Sequence, residues 1–197
     1  MYRGFDVNLD AAWFDQKSNE LEAGKKIFAN NENLARQSLD SLRNSSGDLM
    51  ATDIMTEWFP DLKPHVFISH SHQDSIQAIT MAGWLNRQFG LTAFVDSCAW
   101  GYADKLLAEI DKKYCYQVNK GTYAYEMRNK STAHVHIMLN SALMRLMNST
   151  ECIFFINTPN SISTQTYIES KQTTASPWLF SELTISKLIQ KRQPKEH

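Results

Sequence analysis

Three short runs of apolar residues constrain the fold more than any other feature of the sequence. They occupy residues 65–69, 91–95 and 152–156. Strands that are apolar along their whole length are buried on both faces, as in a parallel sheet covered by helices. Apolar residues at helical spacing lie between and after these runs, over residues 76–89, 104–114, 132–147 and 177–190. The alternation predicts an α/β fold with a three-layer, doubly wound parallel sheet.

The first third of the chain has a different pattern. Residues 1–60 contain no strand-like run, and their apolar residues recur at helical spacings. We therefore expect an N-terminal helical extension over 1–62 and an α/β domain over 63–197. A long insertion at about 115–150, between the second helix and third strand of that domain, is expected to be helical.

Charge and composition narrow the functional classes. The formal net charge of −1 provides no basic field, so we do not expect nucleic acid as a partner. We expect no signal peptide, because the N-terminus lacks a basic flank followed by an apolar run, and no membrane span. The three cysteines are odd in number and contain no CxxC pair, which favours reduced thiols in a cytoplasmic protein.

The turn after the first predicted strand contains a pattern typical of zinc sites. His70, His72 and Asp74 form His-x-His-x-Asp, but Ser75 stands where the metallo-β-lactamase motif requires a further histidine. That superfamily also needs a strand-rich sandwich, whereas this chain has helical patterns over much of its length. We therefore predict no metal at this position.

The predicted strands and their last residues resemble those of the Toll/interleukin-1 receptor (TIR) domain family, in its bacterial form. VFISH at 66–70 is similar to that family's first strand, with Asp74 in the place of the acidic residue that follows. LTAFVD at 91–96 is similar to the second strand, and CIFFIN at 152–157 to the third. Residues 97–104 then occupy the position of the TIR loop that covers the pocket and takes part in assembly.

The most specific match is SPWLFSE at 176–182. TIR domains carry Trp-x-x-x-Glu at the start of the helix after the third strand, and here these residues are Trp178 and Glu182. The local sequence independently favours a helix start, because Ser176 suits the N-cap and Pro177 the first helical position. Trp178 and Glu182, four residues apart, then share one face of the first two turns.

The resemblance implies a flavodoxin-like sheet and a specific activity. Several TIR domains cleave the nicotinamide–ribose bond of NAD⁺, releasing nicotinamide and ADP-ribose or a cyclic form. Glu182 would be the catalytic carboxylate of such an enzyme, stabilising positive charge on the ribose as the bond breaks. Residues that would bind the substrate are Ser69, His70, Ser71, Asp96, Trp100 and Trp178. NAD⁺ is then a substrate and no cofactor is required, while self-association through TIR domains and a role in bacterial defence signalling are expected.

Each of these residues also has a structural interpretation. Glu182 would be a solvated helix glutamate, and Trp178 a core aromatic residue that anchors the helix. His70 would be a turn residue hydrogen-bonded to its neighbours, and Asp96 a brace of the turn. Trp100 would be a hydrophobic lid or a self-association contact.

The sequence departs from the TIR pattern after Glu182. No apolar run remains for a fourth and a fifth strand. Either the sheet is reduced at that edge, or residues 1–60 fill the gap, or the sequence is truncated.

Two further functions stay open at this point. One is a non-enzymatic TIR scaffold that acts through residues 97–104 and the helices. The other is a different enzyme that cleaves glycosidic bonds with a catalytic glutamate, such as a nucleoside deoxyribosyltransferase.

Overall fold

The structure, a computed structural model, describes residues 3–8, 11–34, 51–59, 61–158, 177–189 and 191. It is mixed α/β. The strands are β1 (Arg3–Asn8), β2 (Val66–Ser69), β3 (Ala93–Val95), β4 (Tyr116–Gln117), β5 (Thr122–Tyr123) and β6 (Cys152–Asn157). The α-helices in these ranges are α1 (Ala11–Asp15), α2 (Ser18–Leu34), α3 (Ala51–Trp58), α4 (Ser75–Phe89), α5 (Ser97–Ile110), α6 (Tyr125–Ser149) and α7 (Pro177–Leu188).

Four parallel strands form the main sheet, in the order β1-β6-β2-β3. Val66 pairs with Ala93 on one side and with Cys152 on the other, so β2 lies inside the sheet. All four residues of β2 are buried, as its unbroken apolar run predicts. The α/β fold with a parallel sheet is thus confirmed. A separate two-stranded antiparallel ribbon joins β4 to β5.

The N-terminal segment corrects one prediction. Residues 1–60 were expected to contain no strand, but β1 pairs in parallel with β6, with Phe5 opposite Phe154 and Val7 opposite Ile156. Most side chains of β1 are exposed, and only Val7 is even half-buried. Among the described residues, β1 has only one neighbouring strand and few buried side chains. Its sequence therefore contains no apolar run that would have predicted a strand. Residues 3–8 thus supply a strand to the sheet, in line with one of the three alternatives that the sequence left open, namely that residues 1–60 fill the gap.

Helices pack on both faces of the sheet. On one face Phe67, Phe94 and Ile153 contact a core shared with α3, α5, α6 and α7. On the other face Val66 and Ile68 pack with apolar residues of α4. Helix α2 crosses α4, where the backbones meet at Gly24 and Gly83. Helices thus cover both faces of the sheet, and the ends of the strands are left open.

The structure revises two further boundaries. Residues 97–104, expected to form a loop, are the first part of α5, because Cys98, Tyr102 and Leu106 form a buried stripe at four-residue spacing. The insertion at 115–150 consists of the β4–β5 ribbon and α6, so it is only partly helical. Helix α4 ends at Gly90, which has a φ of 66° and donates its backbone N–H to the carbonyl of Asn86. Residues 35–50 of the expected helical extension lie outside the described residues.

No helix within the described ranges is long and apolar enough to cross a membrane. The thiols of Cys98, Cys115 and Cys152 are free.

Candidate functional site

Polar side chains meet at the carboxyl ends of β2 and β3, beneath α7. Ser69 is the last residue of β2 and His70 follows it, Asp96 follows β3, and Glu182 projects from the second turn of α7. All four are buried, Glu182 completely. We call these four residues the carboxyl cluster. Ligands of parallel α/β sheets bind beyond the carboxyl ends of the strands, which is where this cluster lies.

Glu182 is held by the end of β2. The Ser69 hydroxyl donates a short hydrogen bond to Oε2 of Glu182 across 113 positions of sequence. The other oxygen, Oε1, is buried and has no hydrogen-bond donor among the described residues. The structure therefore brings together Ser69 and Glu182, which the sequence placed in one site. The interpretation of Glu182 as a solvated helix residue is wrong, because its exposed fraction is 0 %.

His70 and Asp96 form a second pair within the cluster. The imidazole Nδ1 of His70 contacts Oδ1 of Asp96, and both side chains are almost fully buried. The backbone N–H of His70 also donates to Oδ2 of the same carboxylate, at 3.4 Å. The Asp96 carboxylate therefore contacts two groups of His70, of which only the backbone N–H has hydrogen-bond geometry.

The environment changes the acidity of Glu182. Complete burial raises the pKa of the Glu182 carboxyl well above its usual range, because a charged carboxylate loses its hydration there. The negative charge of Asp96 raises this pKa further, while the hydrogen bond from the Ser69 hydroxyl lowers it. The site therefore disfavours the charged form of the Glu182 carboxyl.

A neighbouring polar pair was not predicted as a unit. The Thr158 hydroxyl donates a 2.6 Å hydrogen bond to Oδ2 of Asp74. Asp74 is fully buried in the short 3₁₀ turn after β2, and Thr158 directly follows β6. In the sequence, the only indication of this pair was that both residues follow strands of the same sheet.

The remaining predicted site residues occupy the same region or its surroundings. Ser71 is buried and accepts a backbone hydrogen bond of 2.8 Å from Asp74 in the turn after β2. His72 is exposed, whereas His70 is buried. Trp100 lies in α5 and Trp178 in α7, and the side chains of both are outside the described residues. No group of three or more histidine, cysteine, aspartate or glutamate side chains among the described residues has a geometry that could hold a metal ion.

Two sizeable cavities of the described residues lie away from the cluster. One of about 350 Å³ is lined by residues 117–120 of the ribbon. Another of about 250 Å³ is lined by Pro64, Thr92 and Ala93 among others, at the amino ends of β2 and β3. Neither contains a member of the carboxyl cluster, and neither combines a carboxylate with a histidine. The carboxyl cluster itself lies at the carboxyl ends of β2 and β3, next to α7.

We compared the chain with protein-family models, with curated proteins and with solved structures, and none of the three gave a significant match. The function must therefore be argued from the geometry of the carboxyl cluster.

Proposed function

We propose that the protein is a TIR-like NAD⁺ glycohydrolase in which Glu182 is the catalytic carboxylate. The observation that carries the proposal is the hydrogen bond from Ser69 to Glu182 at the carboxyl edge of the sheet. The TIR resemblance assigned these two residues to one pocket from motifs more than a hundred positions apart. Glu182 is thus a buried, oriented acidic group rather than a surface charge.

The order of the strands supports the flavodoxin-like part of the proposal. Counted from residue 66, the strands β2, β3 and β6 are the first, second and third, and they lie in the order second-first-third. Flavodoxin-like sheets begin with this order, 2-1-3-4-5. We propose that β1, next to β6, takes the position of the fourth strand, which explains why no apolar run follows Glu182.

The chemistry suits a site that has one oriented carboxylate. Nicotinamide bound to ribose is cationic and leaves as a neutral molecule, taking the electrons of the C–N bond. Glu182 as a carboxylate would stabilise the positive charge that develops on the ribose and hold its hydroxyls. Water then attacks the sugar carbon and loses a proton, giving ADP-ribose, and attack by an adenine nitrogen instead gives a cyclic product.

The raised pKa of Glu182 is compatible with this role. A cation next to a carboxylate favours its ionised form, so the substrate itself would promote the charge that catalysis needs. Because Glu182 is completely enclosed, turnover requires that residues near α7 move to admit the substrate. TIR sites are often completed by assembly, so turnover is to be measured across a range of protein concentrations.

The test is cleavage of the N-glycosidic bond in a panel of compounds, measured by the release of nicotinamide or of the nucleobase. NAD⁺ should be cleaved, and NADH should not, because reduced nicotinamide carries no positive charge and is a poor leaving group. Cleavage of nucleosides in preference to NAD⁺ would instead indicate a deoxyribosyltransferase-like enzyme. Absence of cleavage at all protein concentrations would contradict the proposal.

A non-enzymatic TIR scaffold is the second candidate, and the closed cluster favours it. Exposed apolar side chains on α6 and α7 could form a contact with another copy, and they are Ile137, Met144, Phe180 and Leu188. In this case Trp100→Ala should abolish self-association, whereas Glu182→Ala should leave it unchanged.

A further inference from the structure

We propose that the β4–β5 ribbon and the start of α6 form a docking surface for an anionic phospholipid bilayer, which the protein binds through lysines and exposed apolar side chains. The inference does not rest on the proposed function. This surface contains no member of the carboxyl cluster, and binding to it requires no NAD⁺.

The first reason is a concentration of exposed apolar side chains. Among the described residues, twelve large apolar or aromatic side chains are exposed, and five of them lie within residues 116–127. Val118 is 81 % exposed and Tyr125 is 77 % exposed, and the other three are Tyr116, Tyr123 and Met127. Single exposed apolar side chains are ordinary, but a group of them on one short segment marks a surface that meets an apolar partner.

The ribbon that carries these side chains is held at its base. Asp111, which is buried directly after α5, accepts hydrogen bonds from two residues of α6, Arg128 at 2.8 Å and Ser131 at 3.1 Å. The Arg128 guanidinium also lies 5.2 Å from the centre of the Tyr123 ring, on β5. Val118 lies in the turn that joins the two strands of the ribbon. The exposed side chains therefore stand on a segment that is anchored between α5 and α6.

The second reason is the charge of the same segment. Residues 111–130 contain five basic and two acidic side chains, a formal charge of +3, in a chain whose formal net charge is −1. One of the two acids is the buried Asp111, which pairs with Arg128. Apart from that pair, the exposed charges of the segment belong to one glutamate and four lysines, namely Glu126, Lys112, Lys113, Lys120 and Lys130. The segment is therefore locally basic and complementary to an anionic surface.

The combination of side chains favours a lipid surface over a nucleic acid. Tyrosine places an apolar ring and a polar hydroxyl at the boundary between hydrocarbon and water, where it is enriched in membrane proteins. Single-stranded nucleic acid stacks its bases on aromatic rings, but aliphatic side chains such as Val118 and Met127 offer it no stacking surface. A bilayer accommodates both kinds of group. Val118 enters the acyl boundary, while Lys120, two residues later in the same turn, stays at the anionic head groups.

The experiment is co-sedimentation of the full-length protein with vesicles of phosphatidylcholine alone and with vesicles of phosphatidylcholine and phosphatidylserine in equal amounts. The protein should bind the anionic vesicles in preference to the neutral ones, and added salt should weaken binding because it screens the lysines. Lys120→Gln combined with Lys130→Gln should lower the partition coefficient by about 30-fold. Lys26→Gln combined with Lys187→Gln, at exposed positions of α2 and α7, changes the net charge equally and should have little effect.

A second comparison tests the apolar contribution. Val118→Ser should lower partitioning into the anionic vesicles by about tenfold, because the side chain no longer gains free energy on leaving water. Ile76→Ser, at a comparably exposed position of α4, should leave partitioning unchanged. All the substituted side chains are exposed, so the variants should fold as the wild type does.

Four outcomes would overturn the proposal. They are no binding to anionic vesicles at low salt, equal losses for the two pairs of lysine substitutions, an unchanged partition coefficient for Val118→Ser, and binding to single-stranded oligodeoxythymidine without binding to vesicles.

Discussion

Glu182 is a carboxyl group that the fold encloses completely, and its protonation must therefore alter the stability of the protein with pH. Its folded-state pKa is raised by burial above the ordinary value of about 4.5. The folded protein then binds a proton more tightly than the unfolded chain does. The contribution of this group to stability is fully present below the ordinary pKa and is lost as the pH rises through the raised value.

We therefore predict that the free energy of unfolding falls as the pH increases from about 4.5 toward neutrality, with a slope of up to about 1.4 kcal/mol per pH unit from this group. Glu182→Gln stays neutral and should lose this part of the slope, becoming more stable than the wild type at neutral pH. Urea denaturation at a series of pH values measures the effect.

The control for this comparison is Glu109→Gln, at an exposed position of α5. It should leave the pH dependence unchanged. Parallel stability curves for the wild type and Glu182→Gln would show that Glu182 is ionised in the folded protein, contrary to the prediction.

The residues of the cluster differ in how far the sequence could predict them. Ser69 and Glu182 were predictable as a pair, because the carboxyl ends of parallel strands and the following helix starts meet at one edge. The contact between His70 and Asp96 could not be predicted. Nothing in the sequence distinguishes His70 from His72, and only packing decides which of the two is buried. The burial of Glu182 was also unpredictable, because a helix glutamate is ordinarily exposed.

Among the elements, α2 and α4 show how the sequence permits a close helix crossing. A Cβ atom added at Gly83 would lie 1.9 Å from the carbonyl oxygen of Glu20, and one added at Gly24 would lie 1.9 Å from that of Ile79. In both cases the obstacle is backbone, which cannot rotate away. The two helices therefore depend on these glycines for their packing.

We predict that Gly83→Ala lowers the free energy of unfolding by about 1–3 kcal/mol, because the helices must separate to admit the methyl group. Gly101→Ala in α5 is a matched control, since its added Cβ would meet only the flexible Glu32 side chain at 3.6 Å. The control should be neutral or more stable by up to about 1 kcal/mol, owing to the higher helix propensity of alanine. Equal effects of the two substitutions would contradict the close crossing.

The start of α5 illustrates the limits of prediction at the scale of elements. Cys98, Tyr102 and Leu106, which are buried, recur every four residues in the sequence. This spacing indicates a helix that begins near residue 97. The TIR resemblance instead favoured a loop over 97–104. Local periodicity was the better guide there, while the strands β2, β3 and β6 were predicted within two residues of their bounds.

For the whole molecule, the position of β1 determines whether the N-terminal segment is separable. It pairs with β6 along six residues, and the α2 helix that follows packs across α4. The sequence did not predict this strand, because a mostly exposed strand lacks an apolar run. Residues 3–34 therefore belong to the same packed unit as the sheet.

We predict that a chain consisting of residues 63–197 shows no cooperative unfolding transition, and that a chain lacking residues 1–10 unfolds at a lower denaturant concentration than the full chain. The physical reason is the loss of a complete strand and, in the shorter chain, of the α2 face of the core. Removal of residues 1 and 2 alone is the control. Independent folding of 63–197 with full stability would instead support a separable extension.

The most direct test of the central claim is a ¹H NMR time course of NAD⁺ with concentrated protein, following free nicotinamide. The wild type should release nicotinamide, and Glu182→Gln should reduce the rate by about 100-fold or more, because the carboxylate that stabilises the developing charge is gone. Glu109→Gln should retain the wild-type rate. Equal rates for the wild type and Glu182→Gln, or no release by either, would contradict the assignment of Glu182 as a catalytic carboxylate.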